Sequence, residues 1–389
     1  MIISKPISRI PYDVCIIHLA DARFYPFFHR QARALVEKNL RVALVSWEGV
    51  RGEGDPKWPG IDVYPVFIPG KTINGKIFFV RYFFSCLFLL LRIKARLYEA
   101  VDPPALVPAR IAAFVNKARY NYFSLEYFQG VDQIVSRPIV RWVWYVLERM
   151  GIRGAQNVAA VCETMERLLR DEYRLKRTVT VLNVPDLAEY AAAGDGRLKK
   201  RLGIPSGVPL VVYKGEIADG RGLVPFINAM QPFATVHFAC IGSGAFRDRV
   251  ESTAREAGCG GRVHLCDPVP SSEFVHYLKD ADAGQVIHEG LGLNMMVTLP
   301  SKLFDYLHAG IPVIASDGPE MARIVRQWKV GWVVSPSSID SIRKALSGFC
   351  ATYPHHEEFK KNCAVAAAQF CWEKEKLRYI DFIENAYEK

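Results

Sequence analysis

Residues 286–317, VIHEGLGLNMMVTLPSKLFDYLHAGIPVIASD, read as a strand, a glycine-containing loop, a helix and a second strand. Val286 and Ile287 close the first strand. Pro300-Ser301 opens the helix and Gly310 stops it, because Pro suits the first turn and Gly the residue past the last. Pro312 to Ala315 is the short apolar run of the next strand. A strand returning through a helix to a second strand is the unit of a parallel sheet.

The same rhythm runs outward in both directions. Upstream, Pro209 to Tyr213 predicts a strand, Leu223 to Met230 a helix, Val236 to Ile241 a strand, Phe246 to Ala257 a helix and Val263 to Leu265 a strand. Near the start, Tyr12 to Leu19, residues 26–38 and Arg41 to Trp47 repeat the pattern. The 389 residues exceed one ordinary core, and 50% of them are apolar, which excludes a disordered chain. We therefore expect an α/β protein with two doubly wound, Rossmann-like domains. Asn183 to Pro209, rich in Pro, Gly, Ala and Lys, reads as the linker. The expected domains are 1–185, 186–360 and a helical segment 361–389 packing back toward the first. Ligands of such sheets bind beyond the carboxyl ends of the strands, so the expected site is a cleft between the two domains.

Charge is unevenly shared. Residues 1–185 hold 27 Lys and Arg against 16 Asp and Glu, whereas the remainder is nearly balanced and the chain totals +10. A basic half points to something anionic, such as a membrane surface, a phosphorylated substrate or nucleic acid. Nine cysteines without C-x-x-C spacing exclude a zinc or redox framework of that pattern, and they predict a reduced cytoplasmic setting. IFFVRYFFSCLFLLL at 77–91 is shorter than the ~20 residues of a spanning helix and contains Arg81. It is either a buried core helix or a helix lying in the membrane interface, with Arg92, Lys94 and Arg96 at its basic end.

The helix opening at Ser301 carries the chemistry. Its first turn offers unpaired N–H groups and a positive dipole end, with the Ser301 hydroxyl and Lys302 ammonium beside them, which is a diphosphate site in outline. Asp305, one turn further, is placed to accept hydrogen bonds from a ribose diol.

LPSKLFDYLHAGIPVIAS resembles the donor-binding segment of retaining glycosyltransferases of the GT-B fold, in particular the family 4 group. Asp305, Gly310, Pro312 and Val313 match its acidic residue, Gly and x-Pro-Val; the family usually has Glu where Asp305 stands. YKGEIADGRGLVPFINAM from Tyr213 is similar to the family's strand, turn and helix, with Gly215 at the turn and Arg221 as a diphosphate contact. Glu216 departs from an Arg in that pattern, so one phosphate contact is either missing or taken over by Lys214. VLNVPD at 181–186 resembles the end of the family's first domain, and HLADARFYPFFHRQARALVEKNLRVALVS its opening, with Asp21 and Arg23 at the helix entrance. In SLEYF, Glu126 matches a motif whose preceding His is Leu125 here. Glu289 is similar to an acidic residue near the donor sugar, at an unusual spacing from Asp305.

The resemblance implies a retaining transferase. Lys302, Arg221, Glu126 and Glu289 would be catalytic, and Asp305, Ser301, Lys302, Arg221, Gly215 and Lys214 would hold the nucleoside-diphosphate sugar. Asp21 and Arg23 would lie on the acceptor side. No metal or other cofactor is expected, and no nucleic-acid partner. The expected acceptor is lipid-linked or a glycan, and the expected location is cytoplasmic, peripheral on the inner face of the plasma membrane. Two other readings stay open on the sequence: a nucleotide-sugar epimerase of the same fold, and an inactive frame that binds membrane or nucleic acid.

Overall fold

Short apolar runs become parallel strands throughout. The computed structural model describes residues 7–8, 10–22, 25–48, 58–68, 75–191, 194–290 and 292–387, and it divides into two units. Unit 1 comprises Met1–Leu182 with Glu375–Lys389, and unit 2 comprises Asn183–Lys374. The boundary lies at 182/183, and of the C-terminal segment residues 361–374 belong to unit 2 and residues 375–389 to unit 1.

Unit 1 contains β1 (Tyr12–His18), β2 (Val42–Glu48), β3 (Ile61–Phe67), β4 (Ala95–Val101), β5 (Arg119–Ser124), β6 (Val158–Ala160) and β7 (Thr178–Thr180). They form one parallel sheet in the order β3-β2-β1-β4-β5-β6-β7. Its helices are α1 (Pro26–Glu37), α2 (Gly75–Leu90), α3 (Asp102–Val115), α4 (Asp132–Val135), α5 (Pro138–Ile152) and α6 (Glu163–Tyr173). Val14 to Ile17 are completely buried, as expected of a central strand covered by helices on both faces.

Unit 2 contains α7 (Arg197–Arg201), β8 (Leu210–Lys214), α8 (Leu223–Ala229), β9 (His237–Ile241), α9 (Arg247–Glu256), β10 (Val263–Cys266), α10 (Ser271–Lys279) and β11 (Ala283–Val286). It continues through α11 (Leu293–Val297), α12 (Ser301–Ala309), β12 (Val313–Ser316), α13 (Pro319–Trp328), β13 (Gly331–Val334), α14 (Ile339–Thr352) and α15 (Glu357–Gln369). The sheet is again parallel, in the order β10-β9-β8-β11-β12-β13. Gly310 ends α12 in the left-handed region at φ +76°, where a side chain would be strained.

Three regions are settled by contacts rather than by local pattern. The expected linker is folded into unit 2. Asp280 accepts the Gly196 and Leu198 N–H groups at 2.8 and 2.7 Å, and Lys199 pairs with Asp282 at 2.8 Å, so this D-x-D pair caps and anchors α7. The last helix, α16 (Trp372–Glu384), begins in unit 2 and ends in unit 1. There Tyr379 donates to Glu99 at 2.6 Å, and the Phe382 carbonyl accepts from Asn121 and Asn157. The 77–91 segment is two-sided. Tyr82, Cys86, Leu89 and Leu90 are buried, while Ile77, Val80, Phe84, Phe88 and Leu91 face outward. No helix among the described residues is long and apolar enough to cross a membrane.

Candidate functional site

In unit 2 the strand order reverses between β8 and β11, and an open α/β sheet offers its ligand crevice beyond the carboxyl ends of the strands at such a point. Lys214 ends β8, and Ile287, His288 and Glu289 follow β11. One hydroxyl joins these ends to α12, since Tyr306 Oη accepts the Lys214 N–H at 3.0 Å and donates to the Gln285 carbonyl at 3.4 Å. The start of α12 is thereby held against the switch point. No side chain caps its first turn, where the Leu303 N–H already donates to the Pro300 carbonyl at 3.0 Å, so the N–H groups ahead of it remain available to a ligand.

The loop after β8 is fixed by Glu289. The Glu289 N–H donates to the Gly220 carbonyl at 3.0 Å, and Glu289 Oε1 accepts the Gly222 N–H at 2.8 Å. Gly222 has φ +69°, and a Cβ there would lie 2.4 Å from Ile287 Cβ, so only glycine lets this loop approach β11 so closely. Arg221 is held between these contacts, with its carbonyl accepting from Gln285 Nε2 at 3.1 Å. Its guanidinium lies 3.9 Å from Glu216, a well-exposed carboxylate that provides weak compensation.

Lys302 is buried, and its ammonium sits 4.1 Å from the centre of the Tyr213 ring. Burial holds it well below the ordinary lysine range, and the charges of Arg221 and Lys214 add to that effect while Asp305 opposes it. His288 is also buried, with neither ring nitrogen within hydrogen-bond geometry of a partner. Burial, Lys302 and Arg221 together depress its basicity. Asp305 is engaged at both oxygens, accepting from Tyr190 Oη and Lys214 Nζ at 2.8 Å each. A carboxylate has about four lone-pair sites, so each oxygen retains one for a ligand hydroxyl. At the Lys302 ammonium the repulsion from Arg221 and Lys214 outweighs the attraction of Asp305, and an anion at the start of α12 would relieve it.

The structure brings together Lys214, Gly215, Arg221, Glu289, Ser301, Lys302 and Asp305 in unit 2. Lys214 is directed to Asp305 and the Phe274 ring. Glu126 and Asp21 lie in unit 1, and Arg23 lies outside the described residues. Glu126 follows β5 and donates its N–H to Asp102 Oδ1 at 3.3 Å; the same oxygen accepts the Leu125 N–H at 2.8 Å. Asp102, at the end of β4 with φ +59°, is a strained residue that the sequence pattern missed. Tyr190 was missed as well, since nothing in the sequence ties it to Asp305. Gly242 and Gly244, after β9, serve packing: a Cβ on Gly242 would strike the Gly215 carbonyl and one on Gly244 the Ile217 carbonyl. Among the described residues no group of three or more His, Cys, Asp or Glu is arranged to hold a metal.

Comparison with known proteins decides the family. Residues 195–364 match the profile of the glycosyl transferases group 1, and residues 26–184 match a glycosyl transferase 4-like domain. The chain belongs to the group 1 glycosyl transferases. Among curated relatives of this family member is a 2-deoxystreptamine glucosyltransferase of Streptomyces kanamyceticus, 29% identical over 48% of this chain and 47% of the relative. The chain thus spans about half the length of the curated relatives it matches. Sucrose-phosphate synthase from Thermosynechococcus elongatus has the same fold, with a TM-score of 0.81 at 15% identity, covering 97% of this chain and 99% of that one. HepE of Anabaena, solved in complex with UDP and glucose, gives a TM-score of 0.76 at 12% identity over 96% and 99%. These likenesses establish the GT-B fold, with two Rossmann-like domains.

Proposed function

We propose that the protein transfers a sugar from a nucleoside-diphosphate donor bound by unit 2 to a lipid-linked or glycan acceptor recognised by unit 1, with retention of configuration, at the cytoplasmic face of a membrane. The observation that carries the reading is the buried, depressed Lys302 ammonium at the uncapped start of α12, with Arg221 across from it. The family's activity and a fold neighbour solved with UDP and glucose support the same donor class.

Departure of the diphosphate leaves an oxocarbenium-like sugar and builds negative charge on the leaving phosphate. Lys302, Arg221 and first-turn N–H groups of α12 meet that charge, and the buried Lys302 acts as a fixed donor more strongly than it would in water. Asp305 accepts from the ribose, with Tyr190 and Lys214 holding its carboxylate in place. Glu289 acts through the backbone by fixing the loop that presents Arg221.

The deciding experiment incubates the protein with nucleotide sugars, with and without membrane lipid extract, and follows free nucleoside diphosphate. Release that requires the extract supports transfer. Conversion of the donor to its epimer without release refutes it, as does the absence of calorimetric binding by any nucleoside diphosphate.

A further inference from the structure

Unit 1 carries an exposed apolar layer that its fold does not use. The outward stripe of α2 runs through Ile77, Val80, Phe84 (63% exposed), Phe88 and Leu91. Successive members are three or four residues apart, so they line one helix face. The layer continues onto α5, whose Phe79-facing Trp144 makes a ring contact at 5.1 Å and whose Ile139 and Trp142 are 79% and 65% exposed. It also reaches the end of α3, where Phe114 is 86% exposed. Contiguous apolar surface of this kind marks an interaction site.

The charges around it identify the partner. Between residues 75 and 125 the only acidic side chains are Glu99, which is buried, and Asp102, at the start of α3; α5 contributes only the buried Glu148, and Glu172 of α6 lines a pocket beside Arg141 and Trp142. The cations are outward, including Arg81 on α2 and Arg141 on α5. At the amino ends of β4 and β5, where α2 and α3 finish together, lies a concavity of about 580 Å³ lined by Lys94, Arg96, Lys117 and Arg119 with Asn116 and Val115. The Asn116 amide ties its walls by donating to the Leu90 carbonyl at 3.3 Å. Asp13 engages Arg96 at 3.4 Å, while Lys94 and Lys117 have no carboxylate partner among the described residues. The Arg92 guanidinium lies 3.8 Å over the Phe88 ring, an apolar side chain with a cation at its edge.

We propose that the outer face of α2, α3 and α5 docks on an anionic phospholipid leaflet, with lipid phosphates seated among Lys94, Arg96, Lys117 and Arg119. A protein partner would meet this surface with carboxylates or with its own apolar patch. A leaflet offers anionic headgroups above an apolar layer, matching cations beside outward aromatic rings. The stripe runs the length of α2, about 24 Å for a helix of its size, so the helix would lie along the surface rather than cross it. The proposal rests on the membrane-acceptor part of the function above and names the surface that serves it.

The test is co-sedimentation of the full chain with vesicles of pure phosphatidylcholine and of equal parts phosphatidylcholine and phosphatidylglycerol. Binding to the anionic vesicles should dominate and fall with salt. The double variant Lys94→Gln/Lys117→Gln should weaken it roughly thirtyfold, the effect of two surface cations. Phe84→Ser with Trp142→Ser should weaken binding to both vesicle types, and inorganic phosphate should displace the protein no more than chloride at equal ionic strength. Equal partition to both vesicles, sedimentation with neither, or unchanged binding by the lysine variant overturns the proposal. So does a concentration-dependent dimer that Phe84→Ser dissolves, which would assign the face to a second copy. Nucleoside-diphosphate calorimetry on the same samples separates the two readings. Nucleotide binding without vesicle binding refutes only the docking, and the reverse refutes only the transferase.

Discussion

Lys302→Met should make the free protein more stable and a poorer nucleotide binder. Methionine keeps most of the length and packing of the lysine stem, so the substitution removes mainly the charge. In the folded protein burial, Arg221 and Lys214 disfavour the ammonium, whereas in the unfolded chain nothing does. The unfolded state therefore binds more protons between the depressed value and the ordinary 10.5, and stability rises with pH across that window. Each tenfold displacement of the acid constant is about 1.4 kcal/mol. One kcal/mol moves the midpoint of a 150–250-residue unit by roughly 2–4 °C. Methionine removes both the burden and its pH dependence. A bound diphosphate supplies the missing counter-charge, and losing a buried charged pair costs about 2–4 kcal/mol, or roughly 30- to 1000-fold in affinity. At pH values where Lys302 of the free protein is partly deprotonated, calorimetry in buffers of different ionisation enthalpy should also show proton uptake on binding, since the anion raises the Lys302 pKa. A folded Lys302→Met protein with unchanged nucleotide affinity and a lower midpoint would refute the reasoning on both counts.

Asp305→Ala removes the acceptor shared by Tyr190 and Lys214 and should weaken nucleoside-diphosphate binding by about 1–3 kcal/mol in calorimetry. Unchanged affinity would detach Asp305 from the ribose. Glu289→Gln keeps an oxygen for the Gly222 N–H, so its turnover should stay near native while Glu289→Ala falls; equal losses in both would assign the carboxylate charge a direct role. Glu99 is pushed up to about 8 by burial, with Tyr379 opposing. The folded state therefore holds its proton longer than the unfolded one, and this contribution to stability falls as pH rises from about 4.5 to about 8. Glu99→Gln should flatten that slope in thermal melts across this range.

The sequence was most readable where one residue type served one local need. Pro300 and Gly310 bracket α12 because helix ends have local chemistry, and β8 through β12 lie within a residue or two of the apolar runs that predict them. Readability failed where side chains meet across the fold. Tyr190 reaches Asp305 from 115 positions away, inside a stretch whose Pro, Gly and Lys content resembles a linker. That composition reports turns, not mobility, and Asp280 anchors the stretch with a side chain no local pattern would nominate. The helix at 77–91 poses the opposite problem. Its mean hydropathy suggests burial throughout, yet the 3.6-residue turn divides it into a stripe led by Tyr82 and Cys86 that packs inward and one led by Phe84 and Phe88 that does not. A window average cannot separate two apolar faces, because amphipathicity is visible only when one face is polar. Composition therefore offered core helix and interfacial helix as alternatives, and the fold divides one helix between them: one stripe builds the core of unit 1, and the other faces outward beside the cations at its end.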